Sequence, residues 1–237
     1  MSDLSDELTA EVDSTVKSAW SKRDGQVVPE SSHLKLGNDR VELDAVFLYA
    51  DLADSTELAI SNREITSELC KAYLRGVTRL IRANGGEVRS FDGDRVMGVF
   101  SEGAKNTAAV KCGLQISWFF RDVVAVKFKS FYTASLANVS LNQTVGIDSS
   151  HIYISRAGIR NHNDLIWVGR APNIAAKLSS TRIGYNTLVT GTVYDTMLDE
   201  AKYGGSPRQN MWQRVHLNLE KSYALPAIYG STWHWQP

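Results

Sequence analysis

The chain has 237 residues, 43% of them hydrophobic, and its 26 basic and 26 acidic side chains give a formal net charge of zero. This length predicts one large domain or one domain with an extension, and the balanced charge gives no general reason to expect a nucleic-acid or membrane-surface partner. Two cysteines, Cys70 and Cys112, are too few for a disulfide scaffold and fit a reducing compartment.

The first residues are acidic and lack a basic start followed by an apolar run, so we predict no signal peptide. No stretch approaches the roughly 20 apolar residues that a membrane-spanning helix needs. We therefore expect a cytoplasmic protein with no nucleic-acid partner and no direct membrane binding.

The N-terminal segment predicts an appendage to a main domain. Apolar residues recur every fourth position from Leu4 to Trp20, which indicates one amphipathic helix. The polar residues 21–40 include one proline and two glycines and predict a linker. We expect residues 1–40 to form this helix and linker, and residues 41–237 to form the main domain. The helix would pack on the main domain or on a second copy of the chain.

The main domain predicts strands mixed with helices. Strands are predicted over 45–50, 143–149, 151–159, 165–168 and 186–190, and helices over 66–84, 104–126, 172–178 and 191–198. A hairpin is predicted around Asp92-Gly93-Asp94, because Asp-Gly between apolar runs is a strong hairpin signal. Residues 211–235 predict a pair of strands around Pro226. Hairpins mixed with crossover helices predict an α+β sandwich, in which helices pack on a mostly antiparallel sheet.

Two of these predicted strands each end near an aspartate. The apolar run that starts at Val46 leads to Asp51, and the predicted hairpin carries Asp94 at its tip. If the two strands pair side by side, both carboxylates come to one edge of the sheet and repel each other unless a cation lies between them. An incomplete set of oxygen ligands suits Mg²⁺ or Mn²⁺. The alternative is that Asp51 caps the following helix and Asp94 is a turn residue.

Three motifs in register resemble the class III nucleotidyl cyclases, and the match covers about residues 41–200. The matching runs are Tyr49-Ala50-Asp51-Leu52 with Asp54-Ser55-Thr56, then Gly93-Asp94-Arg95-Val96-Met97, then Asn173-Ile174-Ala175-Ala176-Lys177-Leu178. Within that family the chain resembles the bacterial pyrimidine cyclases of the antiphage system called Pycsar. Those enzymes make cyclic UMP or cyclic CMP, which activates a separately encoded effector.

The resemblance implies the class III cyclase fold and a two-metal site. Asp51, Asp94 and the backbone carbonyl of Leu52 would hold two divalent cations, Mn²⁺ or Mg²⁺. Asn173 would hold the ribose and Lys177 would stabilise charge on the phosphate, both acting on metals held by the other subunit of a homodimer. Ordinary family members have arginine at this position. The lysine keeps the positive charge but loses the bidentate fork of a guanidinium group.

Further basic and polar residues are candidates for contact with the substrate. Arg95, Arg170 or Arg214 would help Lys177 to stabilise charge on the phosphate in place of the missing arginine. Arg95 directly follows Asp94, one of the expected metal ligands. At the start of a helix, Asp54, Ser55 and Thr56 offer backbone N–H groups that can cradle phosphates, or they simply cap the helix.

The base pocket departs from that of purine cyclases. Where those enzymes carry a lysine and an aspartate or similar polar group, this chain has Ser90 and Ile166. Ile166 cannot accept a hydrogen bond from a purine, and Tyr49 is bulky, so the pair favours a smaller, pyrimidine-sized pocket. The alternative is that Tyr49 and Ile166 are core residues.

The sequence therefore predicts a homodimeric cyclase that converts UTP to 3′,5′-cyclic UMP and pyrophosphate as a second messenger for antiphage defence. CTP is the next candidate substrate, and a purine cyclase or a catalytically degenerate nucleotide sensor are the remaining alternatives. An RNA-binding sheet is disfavoured by the neutral charge and by the lack of paired exposed aromatics on one strand.

Overall fold

The structure is a computed structural model that describes residues 3–225 and 227–237. In chain order the elements are α1 (Leu4–Lys17), β1 (Ser21–Asp24), a 3₁₀ turn (Ser31–His33), β2 (Asp39–Ala53), α2 (Ser55–Ser61), α3 (Arg63–Ala83), β3 (Glu87–Asp92), β4 (Arg95–Phe100), α4 (Lys105–Trp118), a π-helical turn (Phe119–Val124), α5 (Ala125–Phe131), β5 (Asn142–Ile159), β6 (His162–Gly169), α6 (Arg170–Ser179), β7 (Thr187–Thr190), α7 (Gly191–Thr196), α8 (Asp199–Lys202), β8 (Tyr203–Gly204), β9 (Gln209–Asn210), β10 (Gln213–Val215), α9 (Asn218–Ser222) and β11 (Ile228–Ser231).

Within the described residues, nine strands form one sheet in the order β10-β11-β7-β5-β2-β4-β3, with β1 on β2 and β6 on β5. Most pairs are antiparallel, whereas β1–β2 and β5–β7 are parallel. This confirms the predicted α+β class. The long strands β2 and β5 form the centre of the sheet, paired from Arg40↔Ser155 to Ala53↔Asn142.

Two layers of helix cover the two faces of β2. Alternate residues such as Val46 and Leu48 pack in one buried cluster with α3 and α4, while Phe47 on the opposite face packs in a second cluster with α6. The middle of β2 is therefore buried on both sides, which explains its continuous apolar run. Helix α6 approaches the sheet closely because position 146 is glycine: a Cβ there would lie 2.2 Å from the Ala175 carbonyl oxygen.

Residues 21–40 are more ordered than a linker. β1 pairs in parallel with Asp39–Glu42 at the start of β2, and Val28 and Leu34 are buried. The prediction failed here because all four side chains of β1 are exposed, so this edge strand is held by its backbone and shows no apolar pattern. The division into residues 1–40 and 41–237 stays a prediction.

Several predicted boundaries also change. Residues 143–149 and 151–159 form the single strand β5, since nothing interrupts its ladder with β2 around Ser150. The predicted helix 104–126 continues through the π-helical turn to Phe131. β10 and β11 confirm the predicted pair of strands near the C-terminus, although Pro226 lies outside the described residues.

Helix α1 does not pack on the main domain as one of the two expectations proposed. It contributes no buried residue, and Asn38 Nδ2 donates hydrogen bonds to the carbonyls of Thr15 and Ser18 at its C-terminal end, both at 2.8 Å. Across the described residues, no helix combines the length and the apolar character needed to cross a membrane.

Candidate active site

The sheet brings Asp51 and Asp94 to the same edge. β2 and β4 pair in antiparallel register with Asp51 opposite Arg95, and Asp94 precedes Arg95 in the turn of the hairpin. Gly93 makes this turn possible because its φ is 61°, a conformation that glycine adopts without strain. Burial raises the pKa of Asp51, and the charge of Asp94 raises it further, so the two carboxylates affect each other.

A guanidinium group lies on this acidic edge. Arg182, in the segment between α6 and β7, donates from Nη2 to Asp51 Oδ2 at 3.0 Å and to the Leu52 carbonyl oxygen at 3.2 Å. These are two of the three groups that the resemblance assigns to metal binding. A cationic side chain thus occupies oxygens suited to a cation, which fits the predicted ligand set.

The same edge does not supply a complete metal site. Among the described residues, no group of three or more His, Cys, Asp and Glu side chains could hold a metal ion. Two carboxylates and one carbonyl leave most of an octahedral shell open, as Mg²⁺ and Mn²⁺ sites that share their ions with water and substrate phosphates do. The residues present therefore fit a substrate-shared divalent cation.

Arg182 was missed by the sequence analysis, which named Arg170 and Arg214 as spare basic residues. Arg170 instead bonds the fully buried Asp148 through Nε at 3.0 Å, and Arg214 pairs with Glu220 at 2.7 Å. Both serve structural ion pairs rather than the candidate site. No local pattern marks Arg182, because its contact with Asp51 joins residues 131 positions apart in the chain.

Arg95 connects the metal edge with the base cleft. Its Nη2 lies 2.7 Å from Asp92 Oδ2, and its guanidinium carbon lies 5.5 Å from the centre of the Tyr49 ring. The Nε of Arg95 is buried without a hydrogen-bond partner. Burial raises the pKa of the Tyr49 hydroxyl, while the positive charge of Arg95 opposes that shift.

The residues predicted to recognise the base meet in one cleft of about 340 Å³. It is lined by Tyr49, Arg89, Ser90, Met97, Asp164, Leu165, Ile166, Trp167, Pro172, Asn173 and Ala176. Ile166 is 45% exposed, so it is not a core residue. Asp164 was missed, although it lies two residues before Ile166 on the same strand and therefore on the same face.

Asn173 and Lys177 lie on the outer face of α6. Both are exposed, whereas Ala171, Ile174 and Leu178 are buried against the sheet. Asn173 Nδ2 donates to the Gly169 carbonyl at 3.1 Å, and Lys177 Nζ lies 5.6 Å from the centre of the Tyr223 ring. The cleft that Asn173 lines includes neither Asp51 nor Asp94. Tyr49, which lines the same cleft, lies two residues before Asp51 on β2 and therefore on the same face of the sheet.

Asp54 adopts a left-handed conformation, with φ 58° and ψ 24°, at the start of α2. Its side chain makes no capping hydrogen bond, so the simple N-cap alternative does not describe it. Ser55 and Thr56 begin the helix. Contact of these three residues with phosphate stays a prediction.

Comparison with known proteins places this geometry in a family. No protein-family model matches the chain. It is 38% identical over 216 residues to a uridylate cyclase of Rhodovulum sp. (strain MB263), covering 89% of each chain. It is 37% identical over 235 residues to a uridylate cyclase of Xanthomonas perforans, covering 98% of each.

Solved structures give the same fold. The crystal structure of the adenylyl cyclase CyaB from P. aeruginosa superimposes with a TM-score of 0.65 at 20% identity, covering 81% of this chain and 95% of that one. Together with the motifs and the cleft, these similarities confirm the resemblance. The chain belongs to the bacterial uridylate cyclase family, has the class III cyclase fold, and is a nucleotide cyclase.

Proposed function

We propose that this enzyme converts UTP to 3′,5′-cyclic UMP and pyrophosphate in a homodimer that uses two divalent cations. The observation that carries the proposal is the cleft formed by Tyr49, Ser90, Ile166 and Asn173, in a chain whose relatives are named uridylate cyclases. The reaction forms a bond from the ribose 3′-oxygen to the α-phosphorus. It breaks the bond to the β-phosphate and releases the 3′-hydroxyl proton.

Asp51, Asp94 and the Leu52 carbonyl would hold the cations, Mn²⁺ or Mg²⁺. When bound, the ions lower the pKa of the 3′-hydroxyl and neutralise the triphosphate. The protein keeps these oxygens at the end of paired strands, and Arg182 occupies two of them. Arg95, whose buried Nε has no partner and whose guanidinium group lies beside the Tyr49 ring, would donate to a substrate oxygen.

Asn173 and Lys177 would act on the partner's metal edge. Both side chains are exposed on the outer face of α6, where a second copy can meet them. Asn173 would orient the ribose, and Lys177 would offset negative charge that develops during transfer. Backbone N–H groups of Asp54, Ser55 and Thr56 would contact the phosphates.

The cleft favours a pyrimidine for steric and polar reasons. Tyr49 would leave too little room for a purine ring, and Ile166 offers no hydrogen bond. Asp164 supplies a carboxylate in the same cleft that can accept a hydrogen bond from the uracil N3–H. The same carboxylate can accept one from the cytosine amino group, so CTP is the second candidate substrate.

The product would serve as a second messenger in antiphage defence, read by a separately encoded cyclic-nucleotide effector. This role rests on the resemblance to the Pycsar cyclases. Infection of cells that carry the chain together with a cyclic-nucleotide effector, compared with cells in which the chain is an inactive variant, measures this role as a difference in phage yield.

The activity is tested by incubating the purified protein with UTP, CTP, ATP or GTP in the presence of Mn²⁺ and identifying the products by mass. We expect cyclic UMP as the main product, and turnover lowered about a thousandfold or more in Asp51→Asn and Asp94→Asn. Asp195→Asn, an exposed acid on α7, is the matched control and should retain activity. A folded protein that cyclises no pyrimidine nucleotide would refute the proposal.

A further inference from the structure

The outer side of α3 carries a basic groove of about 610 Å³ that the proposed reaction does not use. It is lined by Lys71, Leu74, Arg75, Thr78, Arg79 and Phe91. The three cationic side chains are exposed, and within residues 3–225 and 227–237 none of them makes a hydrogen bond or an ion pair. Like charges four residues apart destabilise a helix. Phe91 is 57% exposed beside them.

Helix α1 presents the complementary surface. Its apolar residues Leu4, Leu8, Val12 and Val16 are 66%, 53%, 65% and 74% exposed, and the helix contributes no buried residue. An acid precedes three of them in the sequence, at positions 3, 7 and 11. We call the face formed by these apolar residues and the three acids the α1 stripe. It has the amphipathic pattern of a helix that packs against another surface.

The two surfaces match in spacing as well as in charge. Lys71, Arg75 and Arg79 recur every four residues, as do the acids of the α1 stripe. Four residues advance an α-helix by about 6 Å, so both rows of charge have the same repeat. Each row flanks exposed apolar side chains, Leu8 and Val12 on α1 and Phe91 beside α3.

Helix α1 does not reach the groove of its own chain. Its C-terminal end is held at Asn38, next to the start of β2. Phe91, beside the groove, pairs with Val96, and Val96 pairs with Ala50. Ala50 is eleven residues after Asp39, the first residue of β2. At about 3.3 Å per residue the groove lies roughly 36 Å away, whereas the 14 residues of α1 span about 21 Å.

A second copy would bring the two surfaces together. The start of β2 pairs with the part of β5 that pairs with β6, and β6 leads directly into α6. The start of α6 therefore lies toward the end of the sheet from which α1 leaves, since Gly169 pairs with Ile152 and Ile152 pairs with Leu43. In the dimer of the proposed function, Asn173 faces the partner's metal edge, which is built by the hairpin that carries Phe91. The groove of a second copy belongs to a separate chain, so the distance that separates α1 from the groove of its own chain does not apply to it.

We propose that α1 of one copy docks in the basic groove of a second copy and holds the two subunits in the catalytic arrangement. The inference uses the dimer of the proposed function but not its chemistry. Acidic side chains of α1 pair with Arg75 and Arg79, and its apolar residues cover Leu74 and Phe91. The reciprocal contact forms across the twofold axis, as expected for an isologous dimer.

Charge reversal in the full chain tests the contact. Arg75→Glu/Arg79→Glu and Glu7→Arg/Glu11→Arg should each weaken the dimer about tenfold or more, measured by sedimentation equilibrium, because exposed ion pairs become repulsive. The combined four-substitution variant should return to within about threefold of the unmodified protein. Lys127→Glu/Lys129→Glu, on the exposed side of α5, is the matched control and should change little.

A crosslink distinguishes docking between copies from docking within one chain. In a Cys70→Ser background, a tagged copy with Val12→Cys is mixed with an untagged copy with Thr78→Cys and oxidised. We expect a disulfide-linked species that contains both copies. A crosslink that forms only when both substitutions share one chain would overturn the proposal, as would charge-reversed variants whose effects on the dimer simply add.

Nucleotide turnover is measured separately on the same samples. If the charge-reversal variants show the expected coupling but the unmodified dimer cyclises no nucleotide, the proposed function is refuted and the docking stands. Full turnover in the two double charge variants, with unchanged dimer mass, would refute the docking alone. Leu8→Asp probes the apolar part of the contact, and it should weaken the dimer without altering the charge on α3.

Discussion

The two halves of the candidate site differ in how far one chain completes them. At the metal edge, Asp51 is half-buried and its charge is already offset by Arg182 of the same chain at 3.0 Å. At the base cleft, Ile166 and Asn173 are exposed, and Lys177 projects from the outer face of α6. The first half resembles a closed charge network, whereas the second leaves its polar and apolar groups exposed. This contrast is what an active site shared between subunits predicts.

Mixing two inactive variants tests this contrast most severely. Asp51→Asn should lower turnover at least about a thousandfold, because it removes a metal ligand. Asn173→Ala should lower turnover at least about a hundredfold, because it removes ribose positioning. If the halves come from different subunits, half of the randomly mixed dimers carry one intact site, so about a quarter of full activity returns.

The measurement is the rate of cyclic UMP release before and after the two variants exchange subunits. Two copies of the same variant, mixed in the same way, are the control and should stay inactive. Failure of the mixture to recover, with exchange shown by sedimentation of differently sized copies, would place both halves of the site within one chain.

Lys177 gives the next largest effect. Lys177→Ala should lower turnover about a hundredfold, because it removes a cation that offsets charge developing on the transferred phosphate. Lys177→Arg should keep or raise turnover, because arginine adds a second hydrogen bond of fixed geometry. Lys221→Ala, an exposed lysine on α9, is the control. Loss of activity in the arginine variant would show that the site is shaped for the shorter ammonium group.

The next expected effect is competition between Arg182 and a divalent cation at the metal edge. Its guanidinium occupies Asp51 Oδ2 and the Leu52 carbonyl, so a cation that binds these oxygens must displace it. A charge-assisted hydrogen bond contributes about 1.5–3 kcal/mol, and Arg182→Gln should therefore bind Mn²⁺ about tenfold more tightly in the absence of nucleotide. Electron paramagnetic resonance titration of free Mn²⁺ measures it. Weaker binding in the variant would mean that Arg182 supports the ligands rather than competing for them.

The base cleft should respond to exchange of its polar groups. The double substitution Ser90→Lys/Ile166→Asp places purine-type hydrogen-bonding groups at the positions where purine cyclases carry them. We expect the ratio of ATP to UTP turnover to rise about tenfold, which is the discrimination that one or two hydrogen bonds supply. Competition assays with both nucleotides measure the ratio. An unchanged ratio would assign base choice to Tyr49 and Arg95 instead.

What could be predicted from the sequence follows from how local each signal is. The hairpin with Asp94 at its tip was predictable because Asp-Gly between apolar runs acts within a few residues. The sequence predicted that Asp51 and Asp94 share an edge only on the condition that their strands pair, and the family motifs assigned Ser90 and Ile166 to one base pocket. Neither contact is local, and the register of Asp51 opposite Arg95 came from the structure. Arg182 and Asp164 were not found, because no motif contains them and their roles depend on long-range packing.

In the first forty residues, the sequence pattern failed to reveal a strand. Their polar composition predicted a linker, yet β1 needs only backbone pairing to join the sheet at Asp39–Glu42. A strand whose side chains are all exposed has no alternation of apolar and polar residues to detect. The apolar spacing of α1 was detected correctly, but a single chain does not show what covers it.

The smallest expected effect concerns stability rather than catalysis. Burial and Asp94 leave the pKa of Asp51 in the folded protein above its ordinary value, despite the bond from Arg182. An acid with a raised folded pKa destabilises the fold when it is ionised, and this cost vanishes as the pH falls below the unfolded value of about 3.8. Without metal, Asp51→Asn should therefore melt about 2 °C higher than the unmodified protein at neutral pH, with the difference fading in acid.

Calorimetry over this pH range measures the difference in melting temperature. Addition of Mn²⁺ should reverse the order, because only the unmodified chain retains both carboxylates. A variant that melts lower at neutral pH without metal would show that the bond to Arg182 outweighs the repulsion from Asp94, and that the metal edge is stable without a cation.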